Sequence, residues 1–206
     1  MFEPHGNTLE YINSNETILN PFFAHGVLES KLPDHLMKDF RKIQNENYNK
    51  KENEAKPYIC LSSEDGKYCD CSEYLNSQII KYIFDISQKY LHTLHIDKEK
   101  VEKINLKKAY FIRKNEKDYL KSYHREGRMT ALACLKAPEK EGESSNGCLD
   151  FIYGSNSEIF LNIIGGNKAI SLKNEYIYVY PSWLTTVLYP TYSPGNSSEL
   201  VEFVLT

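Results

Sequence analysis

The hydrophobic positions in the first half of the chain predict two helices preceded by a short strand pair. Apolar residues recur at helical spacing over about 33–45, and this helix is predicted to end in a polar surface loop. A longer apolar stripe predicts the second helix over about 73–95, with Ser72 as its N-cap. Residues 17–29 predict paired or edge strands interrupted by Pro21, because proline is tolerated mainly at sheet edges.

The second half of the chain changes to a period of two, which is typical of strands with one buried face. Residues 57–72, before the second helix, show neither period and are predicted to be irregular. The predicted strands cover 101–105, 106–113, 130–136, 147–153, 158–164, 169–172, 175–180, 185–189 and 200–205. Two helices beside a set of short strands give an α+β layout whose core is a sandwich or a barrel.

The composition bounds the size of the protein and the class of its partners. With 206 residues, a single domain covering 1–206 is expected, with helical support mostly within 30–96 and the strands mostly within 101–206. The net charge of −3 disfavours nucleic acid and anionic membranes as partners. No apolar segment approaches the roughly 20 residues of a membrane helix. Five cysteines at irregular spacings indicate reduced thiols, so a cytoplasmic protein is expected.

The candidate chemistry lies in residues 118–138, where His124 and Glu126 precede Gly127 and an apolar run. If the strand is straight, even-numbered side chains share one face and the small apolar side chains share the other. The even-numbered face carries His124, Glu126, Arg128, Thr130, Leu132, Cys134 and Lys136. A histidine and a carboxylate at the rim of a polar-lined barrel supply two of the three ligands of a two-histidine, one-carboxylate iron site. Gly127 can bend the strand, and such a bend would break this alternation across 124–128.

Three segments together resemble a known superfamily. They are Tyr119–Pro138, the run Ile-Tyr-Val-Tyr-Pro-Ser-Trp-Leu at 177–184, and Val187–Pro190. They are similar to the 2-oxoglutarate/Fe(II) dioxygenases, and within that superfamily to oxygenases related to prolyl hydroxylases. The resemblance implies a double-stranded β-helix, a jelly-roll barrel of two facing sheets flanked by the two main helices. It also implies Fe(II) and 2-oxoglutarate as cofactors for a hydroxylase, if the protein is active.

The resemblance assigns His124 as the first iron ligand and Glu126 as the carboxylate ligand. The second histidine of the family is expected two places after Leu184, where this chain has Thr186. All six histidines lie at or before position 124, so no later histidine replaces it. A third protein ligand is therefore missing from the expected position.

The family's arginine for the distal carboxylate of 2-oxoglutarate is expected near residue 200, and it is missing too. The last arginine of the chain is Arg128. Arg128 and Lys136 are the remaining candidates for binding the cosubstrate, and Lys168 or Lys173 could also supply a point charge. A lysine lacks the planar fork that pairs with both oxygens of a carboxylate.

Two missing groups at separate places favour a pseudoenzyme that binds a small molecule, a protein or a peptide without iron turnover. One alternative is an active iron hydroxylase with a non-standard third ligand. Another is a structural or assembly subunit that forms a homo-oligomer. The candidate pocket residues are Thr130, Cys134, Tyr178, Tyr180 and Trp183, although tyrosines spaced two apart on a strand also serve as cross-strand packing.

Overall fold

Two antiparallel sheets and two helices form the framework of the computed structural model. The structure describes residues 18–22, 25–53, 67–96, 104–114, 120–123, 126–139, 147–152, 167–190 and 195–206. Its helices are α1 (Asp34–Asn53) and α2 (Ser77–Thr93). Its strands are β1 (Ile18–Phe22), β2 (His25–Lys31), β3 (Lys67–Asp70), β4 (Leu106–Lys114), β5 (Leu120–Tyr123), β6 (Met129–Lys136), β7 (Cys148–Ile152), β8 (Asn167–Ser171), β9 (Tyr176–Pro181), β10 (Thr185–Leu188) and β11 (Ser198–Leu205).

The connections between the sheets are those of a double-stranded β-helix. The larger sheet has the order β1-β2-β9-β6-β11-β4-β3, and the smaller sheet has the order β5-β10-β7-β8. From β4 onward the chain crosses repeatedly from one sheet to the other, so that neighbours within a sheet are distant in sequence. The predicted α+β jelly-roll with two supporting helices is confirmed.

Strand β6 separates two hydrophobic cores. Its odd-numbered residues from 129 to 135 belong to the core beneath the helices, whereas Leu132 and Cys134 belong to the core between the two sheets. Ala131 and Ala133 are small enough to let α1 and α2 pack close to the sheet. The predicted alternation over 130–136 is therefore confirmed, and it identifies the even-numbered side as the interior of the barrel.

The predicted helix boundaries were wrong at two places. Helix α1 continues through the polar run to Asn53 rather than ending near 45, because Glu, Lys and Gln are good helix formers even without an apolar face. Helix α2 begins at Ser77, and its N-cap is Asn76, whose side chain accepts a hydrogen bond from Ile79 N at 2.8 Å. Ser72 does not cap α2, because it lies in a separate 3₁₀ turn and accepts a hydrogen bond from Ala109 N.

Two strand predictions also changed. Residues 67–70, predicted to be irregular, form the edge strand β3 against β4. A strand was predicted at 101–105, but its described residues, 104 and 105, are not part of a strand. Strand β4 begins at Leu106, and Asn105 exchanges two backbone hydrogen bonds with Thr206. Residues 101–103 and the strand predicted at 158–164 lie outside the described residues. Neither described helix is long and apolar enough to cross a bilayer.

Candidate functional site

The mouth of the barrel brings Thr186 beside the strand that leads to His124. Strands β5 and β10 are antiparallel, with Tyr123 opposite Thr186, and β10 also pairs with β7, with Thr186 opposite Phe151. His124 itself lies outside the described residues. Tyr123, the last described residue before His124, thus lies opposite Thr186 in the smaller sheet.

Glu126 does not face the barrel interior. Its side chain is 92% exposed, and its carboxylate pairs with Lys107 Nζ at 3.5 Å. The same Nζ donates a hydrogen bond to the Glu126 carbonyl at 2.9 Å. An exposed ion pair of this kind contributes little to stability, but it shows where the carboxylate points. The predicted carboxylate ligand therefore lies on the outer surface of the mouth.

Gly127 fixes the turn that redirects the chain between Glu126 and β6. A Cβ at Gly127 would lie 2.7 Å from Val204 Cγ1 and 2.8 Å from Leu205 O, so only glycine fits this close approach to β11. Arg128 follows, with its N–H donating to Leu205 O at 2.7 Å. The alternation that holds along β6 stops at this turn.

Thr186 is a buried hydroxyl in the place where the resemblance expects an imidazole. It is 1% exposed and shares a face with its cross-strand partner Phe151. The Phe151 ring meets Tyr180 edge-on, with 5.0 Å between the ring centroids. Within the described ranges, no three histidine, cysteine, aspartate or glutamate residues are grouped to hold a metal ion. The described side chains therefore do not fit a three-ligand iron site.

The candidate cosubstrate cations are separated along the barrel. Arg128 precedes β6 and Lys136 ends it, so they lie at opposite ends of an eight-residue strand. Lys136 is exposed, and its Nζ donates to Ser197 Oγ at 2.9 Å. Lys173 pairs with the buried Glu29 carboxylate, and the Lys168 side chain is outside what the structure describes. Of these cations, the three whose side chains the structure describes do not converge on one anion site.

A buried carboxylate occupies the interior face of the closing strand. Glu202 is fully buried and lies directly opposite Leu132, which belongs to the interior core. Residues opposite each other in a sheet share a face, so the Glu202 carboxylate is directed into the barrel. One row across the larger sheet thus contains Glu29, Tyr178, Leu132, Glu202 and Tyr110. The Glu29 carboxylate of this row is paired with Lys173.

The predicted pocket residues do not form a single cavity. Cys134, Tyr178 and Tyr180 belong to the interior core and are at most 2% exposed. Thr130 lies opposite Tyr180 in the sheet, and its hydroxyl forms a 2.8 Å hydrogen bond with that of Ser182. Burial raises the pKa of the Cys134 thiol to about 12, so this cysteine is protonated near neutral pH. Trp183 is different. Its side chain is 50% exposed, and it lines a cleft outside the barrel.

A buried polar cluster behind the smaller sheet was hard to recognise from the sequence. Asp150 is 3% exposed, and its Oδ2 accepts a hydrogen bond from the Tyr189 hydroxyl at 3.1 Å. The backbone carbonyl of Tyr189 accepts a hydrogen bond from Lys114, which is itself 1% exposed. The available signal was Asp150 in the otherwise apolar strand β7, whereas Lys114 is one of four cationic residues in β4. This cluster joins β4 and β7 rather than forming part of the mouth.

Replacing Asp150 with asparagine is expected to remove a pH-dependent part of the stability. Burial raises the pKa of Asp150 above its ordinary 3.8, against hydrogen bonds from Tyr189 and the Phe151 backbone that lower it. The stabilisation by the bound proton is thus complete below the ordinary pKa of 3.8 and is lost as the pH rises through the raised pKa of the folded protein. Urea denaturation from about pH 3 to 7 should show wild type losing on the order of 1 kcal/mol relative to the variant. Profiles of stability against pH that run parallel for wild type and Asp150→Asn would contradict this prediction. The matched control is Asp85→Asn, because Asp85 is exposed.

Solved structures resemble this chain, although no family sequence model and no curated protein sequence matches it. The carbocyclase SnoK of nogalamycin biosynthesis, described as non-heme and alpha-ketoglutarate dependent, aligns with a TM-score of 0.59 and 10% identity over 98% of this chain and 84% of that one. A Pseudomonas putida prolyl-4-hydroxylase aligns with a TM-score of 0.53 and 12% identity over 87% and 92%. HygX from Streptomyces hygroscopicus, with nickel and 2-oxoglutarate bound, aligns with a TM-score of 0.54 and 8% identity over 98% of this chain and 87% of that one.

The chain has the fold of the 2-oxoglutarate/Fe(II) oxygenases. At identities of 8–12% the likeness concerns the fold, and residues have to be judged one by one. Measured against the oxygenase fold, the described mouth has a threonine for a metal ligand and an outward-facing carboxylate. The likeness therefore establishes the fold and assigns no role to individual residues.

Proposed function

We propose that this protein is a catalytically silent relative of the oxygenases that binds a ligand or partner without iron turnover. One observation carries the proposal: the buried Thr186 lies opposite the residue that precedes His124, where the resemblance expects a histidine. From residue 129 to 206 the sequence contains neither histidine nor arginine. Most of the barrel is therefore built without the two side-chain types that such a reaction centre needs.

The metal half of the reaction centre is incomplete. His124 and Glu126 are the only candidates that the resemblance retains, and the Glu126 carboxylate pairs with Lys107 on the surface. Non-haem oxygenase iron requires two histidines and a carboxylate on one face of the ion. A neutral threonine hydroxyl is a weak ligand by comparison. We therefore expect weak and non-stoichiometric binding of Fe(II).

The keto-acid half is also changed. A dry carboxylate is stabilised best by a guanidinium that pairs with both of its oxygens, and β11 offers Leu200 and Glu202 on its interior face instead. Lys114 lies on the interior face of β4, opposite Ser198, and its Nζ donates a hydrogen bond to the Tyr189 carbonyl. A lysine lacks the planar fork of an arginine, so we expect 2-oxoglutarate to bind weakly.

A reducing compartment agrees with the thiols of this protein. Among the described residues, Cys71, Cys134 and Cys148 are buried and form no disulfide. Reduced buried cysteines are usual in cytosolic proteins, so we infer a cytoplasmic location. Fractionation of the native host cells tests this inference; recovery with secreted or periplasmic proteins would contradict it.

Purification under anaerobic conditions with added Fe(II) and 2-oxoglutarate tests the proposed function. We expect substoichiometric iron and no succinate above a protein-free blank, with a prolyl-4-hydroxylase assayed in parallel as the positive control. The His124→Ala variant should bind no less iron than wild type. Stoichiometric iron with succinate release, both abolished by His124→Ala, would overturn the proposal and favour an active hydroxylase with an unusual third ligand.

A further inference from the structure

A cleft outside the barrel lies between the C-terminal end of α2 and the mouth end of the larger sheet. Its volume is about 280 Å³, just below the roughly 300–1,000 Å³ of typical small-molecule sites. Its lining comes from α2 and the turn after it, from the start of β6, from the end of β9 and from Thr206. The cleft is on the helix side of the sheet, so it is separate from the barrel interior.

The walls of this cleft are mainly apolar. Leu91, Leu94 and Ile96 contribute from the helix end, and Met129 and Pro181 contribute from the sheet. Tyr90 also lines it, and because its hydroxyl already donates to Gly26 O at 2.8 Å, Tyr90 adds an apolar ring rather than a polar group. Such a surface favours a hydrocarbon or aromatic body.

Arg128 contributes a cationic side chain to the lining of the cleft. The backbone of Arg128 is fixed on both sides, donating to Leu205 O at 2.7 Å and accepting from Ser182 N at 3.1 Å. The Arg128 residue is exposed, and no carboxylate among the described residues pairs with its guanidinium. Trp183, 50% exposed, lines the same cleft. An arginine side chain beside an apolar cleft is suited to binding a single carboxylate.

We propose that this cleft binds an apolar monocarboxylate, with its carboxylate on Arg128 and its hydrocarbon body against Leu91, Leu94 and Met129. A ligand with a second negative charge would have to bury that charge among apolar side chains, which is costly. A cationic amphiphile would be repelled by Arg128, and a neutral one would lack the charged anchor. The proposal goes beyond the proposed function, since binding here needs neither iron nor 2-oxoglutarate.

Trp183 is the single tryptophan of the chain, so its fluorescence reports on the cleft directly. Metal-free, full-length protein is titrated with decanoate below its micelle concentration. Decanol and decyltrimethylammonium are the probes matched in chain length. We expect a saturable change in Trp183 emission with decanoate, binding of decanol weaker by about tenfold, and no binding of the cation. Isothermal titration calorimetry gives a second readout that does not depend on the tryptophan.

The Arg128→Gln variant should bind decanoate about tenfold more weakly while decanol binding stays unchanged. The matched control is Arg41→Gln. Arg41 is an exposed arginine of α1 that does not line the cleft, and its guanidinium pairs with the Glu175 carboxylate at 3.9 Å. This control variant should bind decanoate like wild type. Absence of decanoate binding by both readouts, equal affinities for decanoate and decanol, or equal losses in the two arginine variants would each overturn the proposal. Because iron is absent throughout, these results do not bear on the proposed loss of turnover.

Discussion

Replacing Phe203 with alanine is expected to lower the free energy of unfolding by about 3–5 kcal/mol. Phe203 is fully buried on the helix side of β11, at the centre of the larger sheet. Its ring meets that of Phe40 from α1 edge-on, with 6.1 Å between centroids. The substitution removes this aromatic contact and leaves a cavity under the helices, where close packing prevents full collapse.

Chemical denaturation followed by circular dichroism measures the effect of Phe203→Ala. Tyr74→Ala is the matched control, since Tyr74 is an aromatic residue that is 45% exposed, and its loss should change stability by no more than about 0.5 kcal/mol. A loss below about 1 kcal/mol for Phe203→Ala would mean that α1 does not pack on the sheet as described.

Replacing Thr186 with histidine is expected to raise the affinity for Ni(II) or Fe(II) by at least about tenfold, since residues that merely orient a ligand already change metal affinity roughly 10–100-fold. The new imidazole would stand on β10 opposite Tyr123, next to the strand end that leads to His124. Anaerobic calorimetry with each ion measures the gain. The expected result identifies position 186 as the place where a metal ligand is lacking.

Adding His124→Ala to Thr186→His should cancel the gain, because the two imidazoles would then no longer act together. Since Thr186 is 1% exposed, the thermal unfolding of each variant is recorded to confirm folding. The prediction would be contradicted if wild type bound the ion as tightly as Thr186→His and if His124→Ala weakened binding in both. It would mean that a third ligand already exists.

Most of the fold could be predicted from local pattern. The apolar stripe along 73–95 became α2, and the alternation along 130–136 became the two faces of β6, because one side of each element is buried. Features that depend on neighbours could not be predicted in this way. The four-residue β3 is a strand only because β4 lies beside it, and Asn76 caps α2 because Leu75 is extended.

The candidate site was harder to predict than the fold. The sequence indicated that position 186 lacks a histidine, and the register beside Tyr123 gives that absence a location. It could not show that Glu126 turns outward to Lys107, because the turn at Gly127 ends the alternation used to assign its face. Nor could it show that Arg128 and Trp183, 55 positions apart, line one outer cleft, since α2 and the end of β9 meet only in the folded chain.

A crystal structure of protein grown anaerobically with Fe(II) and 2-oxoglutarate tests the loss of the reaction centre most directly. The density around His124, Glu126 and Thr186 is the observation that decides. We predict no iron coordinated by His124, no keto acid in the interior between the two sheets, and a Glu126 carboxylate still paired with Lys107. An iron ion held by His124 and Glu126, with 2-oxoglutarate chelating it, would contradict the account.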